Sequence, residues 1–267
     1  MKCHDFTRMR FGNCPIKDDF KWLENKILDA DGLVVVMPCF EKSPPSEFKA
    51  MMDRTGPAND VYFRLMAKEL REKEPERFSD DDYVNDGRVF KTRYASFISL
   101  GGSDWTQLGL PMLLSWCTSM GFIPVDKLEI QWCLGLASDT ERMERIRQSG
   151  AHVAKHCASP ETEPAFIGDP GHCPICHNDA FILGNNANET RCVVCGVVGT
   201  LAVSRDGTVT VHFAQEALNQ STFLNSGRKK HLDDLNIIAK KLRELDFSKH
   251  KEITERVICS SQVSVPD

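Results

Sequence analysis

Apolar and polar positions alternate in blocks that predict helices and strands in turn over residues 1–157. Helical spacing begins at Asp18, and the continuous apolar run at 33–37 then predicts a strand covered on both faces of a parallel sheet. A helix follows from Ser46 and is expected to end at Gly56-Pro57. Further helices are predicted at 61–70, 107–120 and 140–156, and further strands at 94–100 and within 123–134. This order is typical of an α/β protein with a doubly wound parallel sheet.

The remainder of the chain, residues 158–267, has a different pattern. A Pro- and Glu-rich stretch predicts a linker over 158–170, and the segment 171–213 ends in a hairpin whose turn is Asp206-Gly207. One amphipathic helix is predicted at 229–246, followed by an indistinct tail. The predicted domains are an incomplete α/β domain at 1–157, a linker at 158–170, a cysteine-paired β module at 171–213 and a helical segment at 214–267.

Composition and charge narrow the classes of partner. The 267 residues carry 33 basic and 38 acidic side chains, so the formal net charge is −5. Such a balance argues against a nucleic-acid or anionic-membrane binder, because both need a basic surface. Neither a membrane-length apolar run nor an apolar signal core in the first twenty residues is present, so we expect a cytoplasmic protein.

Four of the eleven cysteines form two Cys-x-x-Cys pairs separated by fifteen residues: Cys173, Cys176, Cys192 and Cys195. This spacing is typical of a zinc ribbon, in which two knuckles bring four thiolates to one tetrahedral ion. Four sulfur ligands leave no open position, so the zinc would be structural. Rubredoxin-like iron is the alternative metal. His172 and His177 flank the first pair and are interpreted as surface or supporting residues rather than ligands.

Four segments resemble a known family. They are Asn-Cys-Pro-Ile-Lys-Asp-Asp at 13–19, Ala-Asp-Gly-Leu-Val-Val-Val-Met-Pro-Cys-Phe at 30–40, Ser-Glu-Phe-Lys-Ala-Met-Met-Asp-Arg-Thr-Gly at 46–56 and Phe-Ile-Ser-Leu-Gly-Gly at 97–102. Together they resemble the NAD(P)H-dependent FMN reductase and iron–sulfur flavoprotein family of flavodoxin-like proteins. The resemblance covers about half of the chain and none of residues 158–267.

The resemblance implies a site for FMN, with NAD(P)H as co-substrate. The resemblance places Pro38, Cys39, Phe40 and Glu41 along the edge and face of the isoalloxazine ring. The backbone amides of Gly101, Gly102 and Ser103 would meet the pyrimidine side of the ring, where a side chain would keep the backbone away. Cys39 is a possible redox thiol, although the family usually has a small apolar residue there. Trp105 would either stack on a ring or cover the crevice.

Two departures from the family pattern have consequences. The family's first strand and its phosphate-binding loop have no counterpart here, so the strand at 33–37 would become a sheet edge. We expect either a fragment of a longer protein or cover from a homo-oligomer, a partner chain or the C-terminal part. The iron–sulfur members carry a run of four cysteines; the equivalent positions here are Cys3, Phe6, Met9 and Cys14, so no [4Fe–4S] cluster is expected.

The function indicated is that of an NAD(P)H-dependent FMN oxidoreductase, which passes hydride from nicotinamide to flavin and on to an unidentified acceptor. Hydride transfer needs no acid–base residue, so no catalytic base is named, and Glu41 and Asp104 are interpreted as solvated loop residues. The alternative is a non-catalytic interaction scaffold built from a degenerate flavodoxin-like domain and a structural zinc ribbon. A third possibility is electron transfer between rubredoxin-like iron and flavin.

Overall fold

The fold is α/β, with one parallel and one antiparallel sheet, as the sequence predicts. It is seen in a computed structural model that describes residues 16–77, 86–160 and 164–260. The helices and strands are α1 Phe20–Asp29, β1 Gly32–Pro38, α2 Ser46–Asn59, α3 Val61–Lys73, β2 Arg93–Leu100, α4 Gly109–Met120, β3 Phe122–Ile130, α5 Thr140–Ala158, β4 Phe181–Leu183, β5 Glu189–Cys192, β6 Val198–Val203, β7 Val209–His212, α6 Gln215–Leu218, α7 Asn225–Glu244 and α8 Phe247–Ser260.

The parallel sheet has the strand order β1-β2-β3. Tyr94 of β2 packs with Val153 of α5, whereas Phe97 packs in the cluster that contains Leu113 of α4. Residues 94 and 97 are an odd number apart and so point to opposite faces of the strand. Helices therefore cover both faces of β2, which is the arrangement of a doubly wound sheet.

Trp116 of α4 is the largest fully buried side chain of the core. Its ring makes edge-to-face contacts with Phe48 and Phe122, at centroid distances of 5.7 and 4.9 Å. The indole N–H donates to Thr55 Oγ1 at 2.8 Å, so burial leaves this polar group satisfied. The four paired cysteines belong to the same continuous cluster of buried side chains. The cysteine module thus shares its core with the parallel sheet.

Strand β1 lies at the edge of the parallel sheet in the described part of the chain. Val34 and Val36 are 43% and 45% exposed, so the prediction that both faces of this strand are covered is wrong for the face that carries them. The edge position agrees with the strand order of the resembled family. Cover by a second copy or a partner chain stays a prediction.

Helix α2 runs past Gly56-Pro57, where the sequence predicts its end, and continues to Asn59. The buried amide of Asn59 donates to Glu24 of α1 at 2.7 Å, and this tertiary contact holds the last turn in place. Asp60 then separates α2 from α3 by accepting hydrogen bonds from the backbone N–H groups of Tyr62 and Phe63, both at 3.0 Å. Pro111 lies in the first turn of α4, as predicted.

The cysteine module forms an antiparallel sheet of order β4-β5-β6-β7. Its predicted hairpin turn is confirmed: the N–H of Ser204 donates to the carbonyl of Thr208 at 3.0 Å, and Gly207 has a φ of +87°.

The chain divides into two compact units, residues 1–229 and 230–267. The second unit contains most of α7, for which the sequence predicts a helix at 229–246. It also contains α8, where the sequence predicts only an indistinct tail. Ion pairs four residues apart, such as Lys230–Asp234, stabilise these helices internally. None of the described helices is long and apolar enough to cross a membrane. The finer domain boundaries and the cytoplasmic location stay predictions.

Candidate active site

Two turns meet at the carboxyl end of the parallel sheet. The N–H of Cys39, just after β1, donates to the carbonyl of Leu100 at the end of β2 at 2.7 Å. A second bond joins the same loops, from the N–H of Leu108 to the carbonyl of Lys42 at 2.9 Å. The turn at 38–41 and the turn at 101–103 are therefore neighbours, because parallel strands end at one edge of a sheet. Flat ligands bind in crevices of this kind.

The first turn is a strained two-residue hairpin. Phe40 and Ser43 exchange backbone hydrogen bonds at 2.8 and 3.1 Å, while Glu41 and Lys42 both have positive φ angles of 48° and 72°. Such turns favour asparagine and glycine, since other side chains crowd the backbone in this conformation. The ring of Phe40 is held 64% exposed at this edge. Strain of this kind is characteristic of ligand-binding loops.

The second turn exposes backbone donors. A Cβ at Gly101 would lie 2.6 Å from the carbonyl oxygen of Ser103, so only glycine suits this position. A Cβ at Gly102 would meet no atom within 4 Å, so the space beside it is open. Within the described residues, the N–H groups of Gly102 and Ser103 donate to no protein acceptor. Free amides beside an open space fit the polar edge of a flavin ring.

Trp105 and Cys39 differ in their access to this space. Trp105 is 57% exposed, and the ammonium of Lys42 lies 5.2 Å from its ring centroid, which leaves the other face of the indole available. The Cys39 thiol lies 3.1 Å from the hydroxyl of Ser99, within the fold.

A third turn, which follows β3, is not anticipated by the sequence. The Gly101 N–H donates to Ile130 and the Cys133 N–H donates back to Gly101, at 2.8 and 2.9 Å, so this turn lies against the glycine turn. Trp132 is 63% exposed and has a φ of +53°. The sequence predicts a strand somewhere within 123–134, whereas β3 ends at Ile130 and the turn begins there. Gly135, which has a positive φ, is the sequence signal for this turn.

The four paired cysteines converge, as predicted. Their sulfurs lie within 4.8 Å of one another and all four residues are buried. Hydrogen bonds within the cluster lower the pKa of Cys173 and of Cys192, and they raise the pKa of Cys176 and of Cys195. The thiolate is the form of cysteine that binds a metal ion. This donor set fits a metal ion held by sulfur alone.

The first cysteine pair and the residues after it are joined to β3 by a buried cation. Lys127 donates to the His177 carbonyl and to the Asp179 carboxylate, which is 2.5 Å away. Asp179 also accepts from the N–H and Nδ1 of His172 at 3.0 and 2.9 Å. Partial burial raises the pKa of Asp179, but the hydrogen bonds from Lys127 and His172 outweigh it and lower the pKa overall.

The Nδ1 atoms of the two flanking histidines contact oxygen atoms. That of His172 contacts Asp179, and that of His177 lies 3.0 Å from the Pro170 carbonyl while its ring stacks on Phe166. Burial lowers the pKa of His177. Both contacts agree with supporting roles rather than metal ligation.

The chain is similar to known proteins over most of its length. The NADPH-dependent FMN reductase family matches residues 2–131. Flavone synthase cfoJ of Aspergillus candidus is 32% identical over 231 residues, which are 83% of this chain and 68% of that protein. The chain belongs to the NADPH-dependent FMN reductase family. A solved structure titled flavone reductase has a TM-score of 0.83 at 28% identity and covers 94% of this chain and 84% of its own.

Membership of the FMN reductase family supports FMN and NADPH as ligands and makes this chain a flavin-dependent oxidoreductase. It confirms the family resemblance and disfavours the scaffold alternative. The residues predicted to contact FMN stay predictions, although the structure brings their two turns together. The positions compared with the iron–sulfur run, from Cys3 to Cys14, lie outside the described residues.

Proposed function

We propose that this protein transfers hydride from NAD(P)H through FMN to a flavone-type aromatic ketone, and reduces the double bond conjugated to the ketone. NAD(P)H gives up the hydride and becomes NAD(P)⁺, and the ketone gains that hydride and one proton from solvent. The class of acceptor is inferred from the names flavone synthase and flavone reductase that the relatives bear. The opposite direction, desaturation, would need an electron acceptor in place of NAD(P)H.

This proposal is supported chiefly by the backbone hydrogen bond from Cys39 to Leu100, which makes the two turns neighbours. Bound FMN would supply a carrier of two electrons between nicotinamide and ketone. The protein's part is to bind and orient the ring: the amides of Gly102 and Ser103 donate to its polar edge and favour the negative charge of its reduced form. Phe40 and Trp105 are both exposed, one in each of the two loops, and would exclude water from a bound ring.

We infer that the four cysteines hold a structural zinc ion. Their sulfurs would fill a tetrahedral shell and leave no place for water or substrate. Iron in the same site would absorb in the visible range, and zinc would not. Metal analysis of the purified protein, together with its spectrum, decides between the two metals.

The flavin site is tested by titrating FMN into the metal-replete protein and following quenching of its fluorescence. We expect saturable binding below about 100 µM, an affinity of about 5 kcal/mol. Gly102→Val should fold normally, since a Cβ at Gly102 meets nothing, but should weaken FMN binding at least about tenfold by filling the space. Gly150→Ala, at another glycine with room for a Cβ, is the matched control.

The acceptor is tested by NADPH oxidation under anaerobic conditions with FMN present. Addition of flavone should accelerate oxidation and yield the corresponding flavanone. A protein that binds FMN yet oxidises NADPH at the same rate with and without flavone would contradict the proposed acceptor. Absence of saturable FMN binding, with metal bound, would instead favour the scaffold alternative.

A further inference from the structure

A cavity lies beside the third turn, which contacts the glycine turn. Its volume is about 490 Å³, and its polar and aromatic lining comes from Glu129, Gln131, Trp132, Arg142 and Arg145. The backbone bond from Cys133 to Gly101 joins this turn to the glycine turn. A ligand in the cavity would therefore lie beside the loop assigned to the flavin.

The conformation of Trp132 is imposed by its surroundings. A bulky side chain at a φ of +53° is a genuine backbone outlier. The guanidinium of Arg142 holds this backbone by donating to the carbonyls of Gln131 and Trp132 at 3.1 and 3.3 Å. The result is an indole that stays 63% exposed and lines the cavity. Strain that the structure maintains in this way points to a binding role.

The charges of the cavity select against an anionic ligand. Arg145 forms a bidentate pair with the fully buried Asp126 at 2.7 and 2.6 Å, and Arg142 is paired with Asp139 at 3.3 Å. Glu129, in the described part of the chain, accepts only from Gln131, at 3.0 Å. Because both arginines already face carboxylates, a phosphate entering here would meet the charge of Glu129.

A neutral phenol suits this arrangement better than a phosphate does. Its ring can stack on the indole of Trp132, and its hydroxyl can donate to a carboxylate oxygen of Glu129. Leu128 and Ile130 add apolar lining for the ring.

We propose that this cavity binds a hydroxylated aromatic ring of the flavone-type substrate, with Trp132 as the stacking surface and Glu129 as the acceptor for a phenolic hydroxyl. The inference rests on the proposed function and deepens it, since it assigns residues to the recognition of the substrate. Neither residue belongs to the turns predicted to contact FMN.

The test is calorimetric binding of two probes to the full-length chain without nicotinamide: chrysin, a dihydroxyflavone, and flavone itself, which has no hydroxyl. Trp132→Ala should weaken the binding of both probes at least about tenfold, as is common for an aromatic side chain that the ligand covers on binding. Glu129→Gln should weaken chrysin binding by about tenfold and leave flavone binding unchanged, because only chrysin donates a hydrogen bond there. Trp22→Ala, at an equally exposed tryptophan of α1, is the control.

Trp132→Gly separates folding from recognition, because glycine suits the left-handed backbone and should keep the turn folded while removing the stacking surface. Unchanged chrysin affinity in both Trp132 variants, or absence of chrysin binding to the wild type, would overturn the inference. Equal losses for the two probes in Glu129→Gln would overturn the role of Glu129. A further outcome is a wild type that binds chrysin but does not reduce flavone, while Trp132→Gly loses chrysin binding. That pair of results would support this binding site and contradict only the proposed reaction.

Discussion

The thiol of Cys39 lies 3.1 Å from the hydroxyl of Ser99, and both side chains lie against Gly109 at the start of α4. A Cβ at Gly109 would be 2.8 Å from the Cys39 sulfur and still closer to the Ser99 oxygen. The first residue after β1 is thus packed between the neighbouring strand and a helix. This favours a packing role for Cys39 over the redox role that its place beside a flavin suggests.

Gly109→Ala is expected to destabilise the protein by about 1–3 kcal/mol, because the added methyl would force apart a closely packed contact. Urea denaturation followed by circular dichroism measures the change. Gly150→Ala controls for adding a methyl group within a helix, since it has open space around it. Equal stability of the two variants would show that the contact at Gly109 relaxes freely.

Cys39→Ala is expected to keep FMN affinity and flavone-dependent NADPH oxidation within about twofold of the wild type, since only a weak hydrogen bond to Ser99 is lost. Parallel FMN titration and NADPH oxidation assays check this. Selective loss of turnover, with FMN binding intact, would restore the redox interpretation of this thiol.

Replacing Glu41 by Asn and Lys42 by Gly should stabilise the protein by about 1 kcal/mol, because these residues suit the positive φ angles of the hairpin. The midpoint of thermal unfolding should rise accordingly. Lys42→Ala isolates the contact of the ammonium with Trp105 from the backbone effect. If the double variant is less stable than the wild type and Lys42→Ala shows the same loss, the contact between Lys42 and Trp105 contributes more than the backbone strain costs.

Cys173→Ser with Cys192→Ser should abolish metal binding and lower the thermal stability of the whole first unit. The reason is that the cysteines share a core with Leu114 and Trp116 of α4. Metal analysis and fluorescence of the buried tryptophan report the two effects. Cys133→Ser, outside the cluster, is the control. An unchanged metal content would exclude the quartet as the metal site, and unchanged tryptophan unfolding would show that the module folds by itself.

Asp179→Ala should destabilise the protein more than Lys127→Met does. Removing the carboxylate leaves the buried ammonium of Lys127 without its charged partner, at a cost of about 1–3 kcal/mol for a pair of which one member is half-exposed. Methionine instead fills the same space without a charge. Denaturant titration of both single variants and the double variant measures the coupling. Additive effects would show that the two side chains act independently.

Local signals predicted several features of this protein from residues close together in the chain. The Asp206-Gly207 turn, the position of Pro111 in α4 and the metal knuckles each depend on a few neighbouring residues. The adjacency of the turns after β1 and β2 followed from the resemblance to a family, together with the rule that parallel strands end at one edge.

Other features depend on contacts between distant residues and were missed for that reason. Helix α2 passes through Gly56-Pro57 because Asn59 bonds to Glu24, thirty-five residues earlier. The exposed indole of Trp132 depends on Arg142 and on the glycine turn of another strand. The periodicity of apolar residues along the sequence gives no sign of these pairs.

The amino-acid sequence by itself determined the α/β class, the sulfur quartet and the family, because patterning, spacing and motif are properties of short segments. The tertiary structure alone decided that the cysteine module shares a core with the sheet, that Cys39 packs against Ser99, and that Trp132 lines a cavity together with Glu129. These are contacts between side chains far apart in the sequence, and only the packing of the folded chain brings them together.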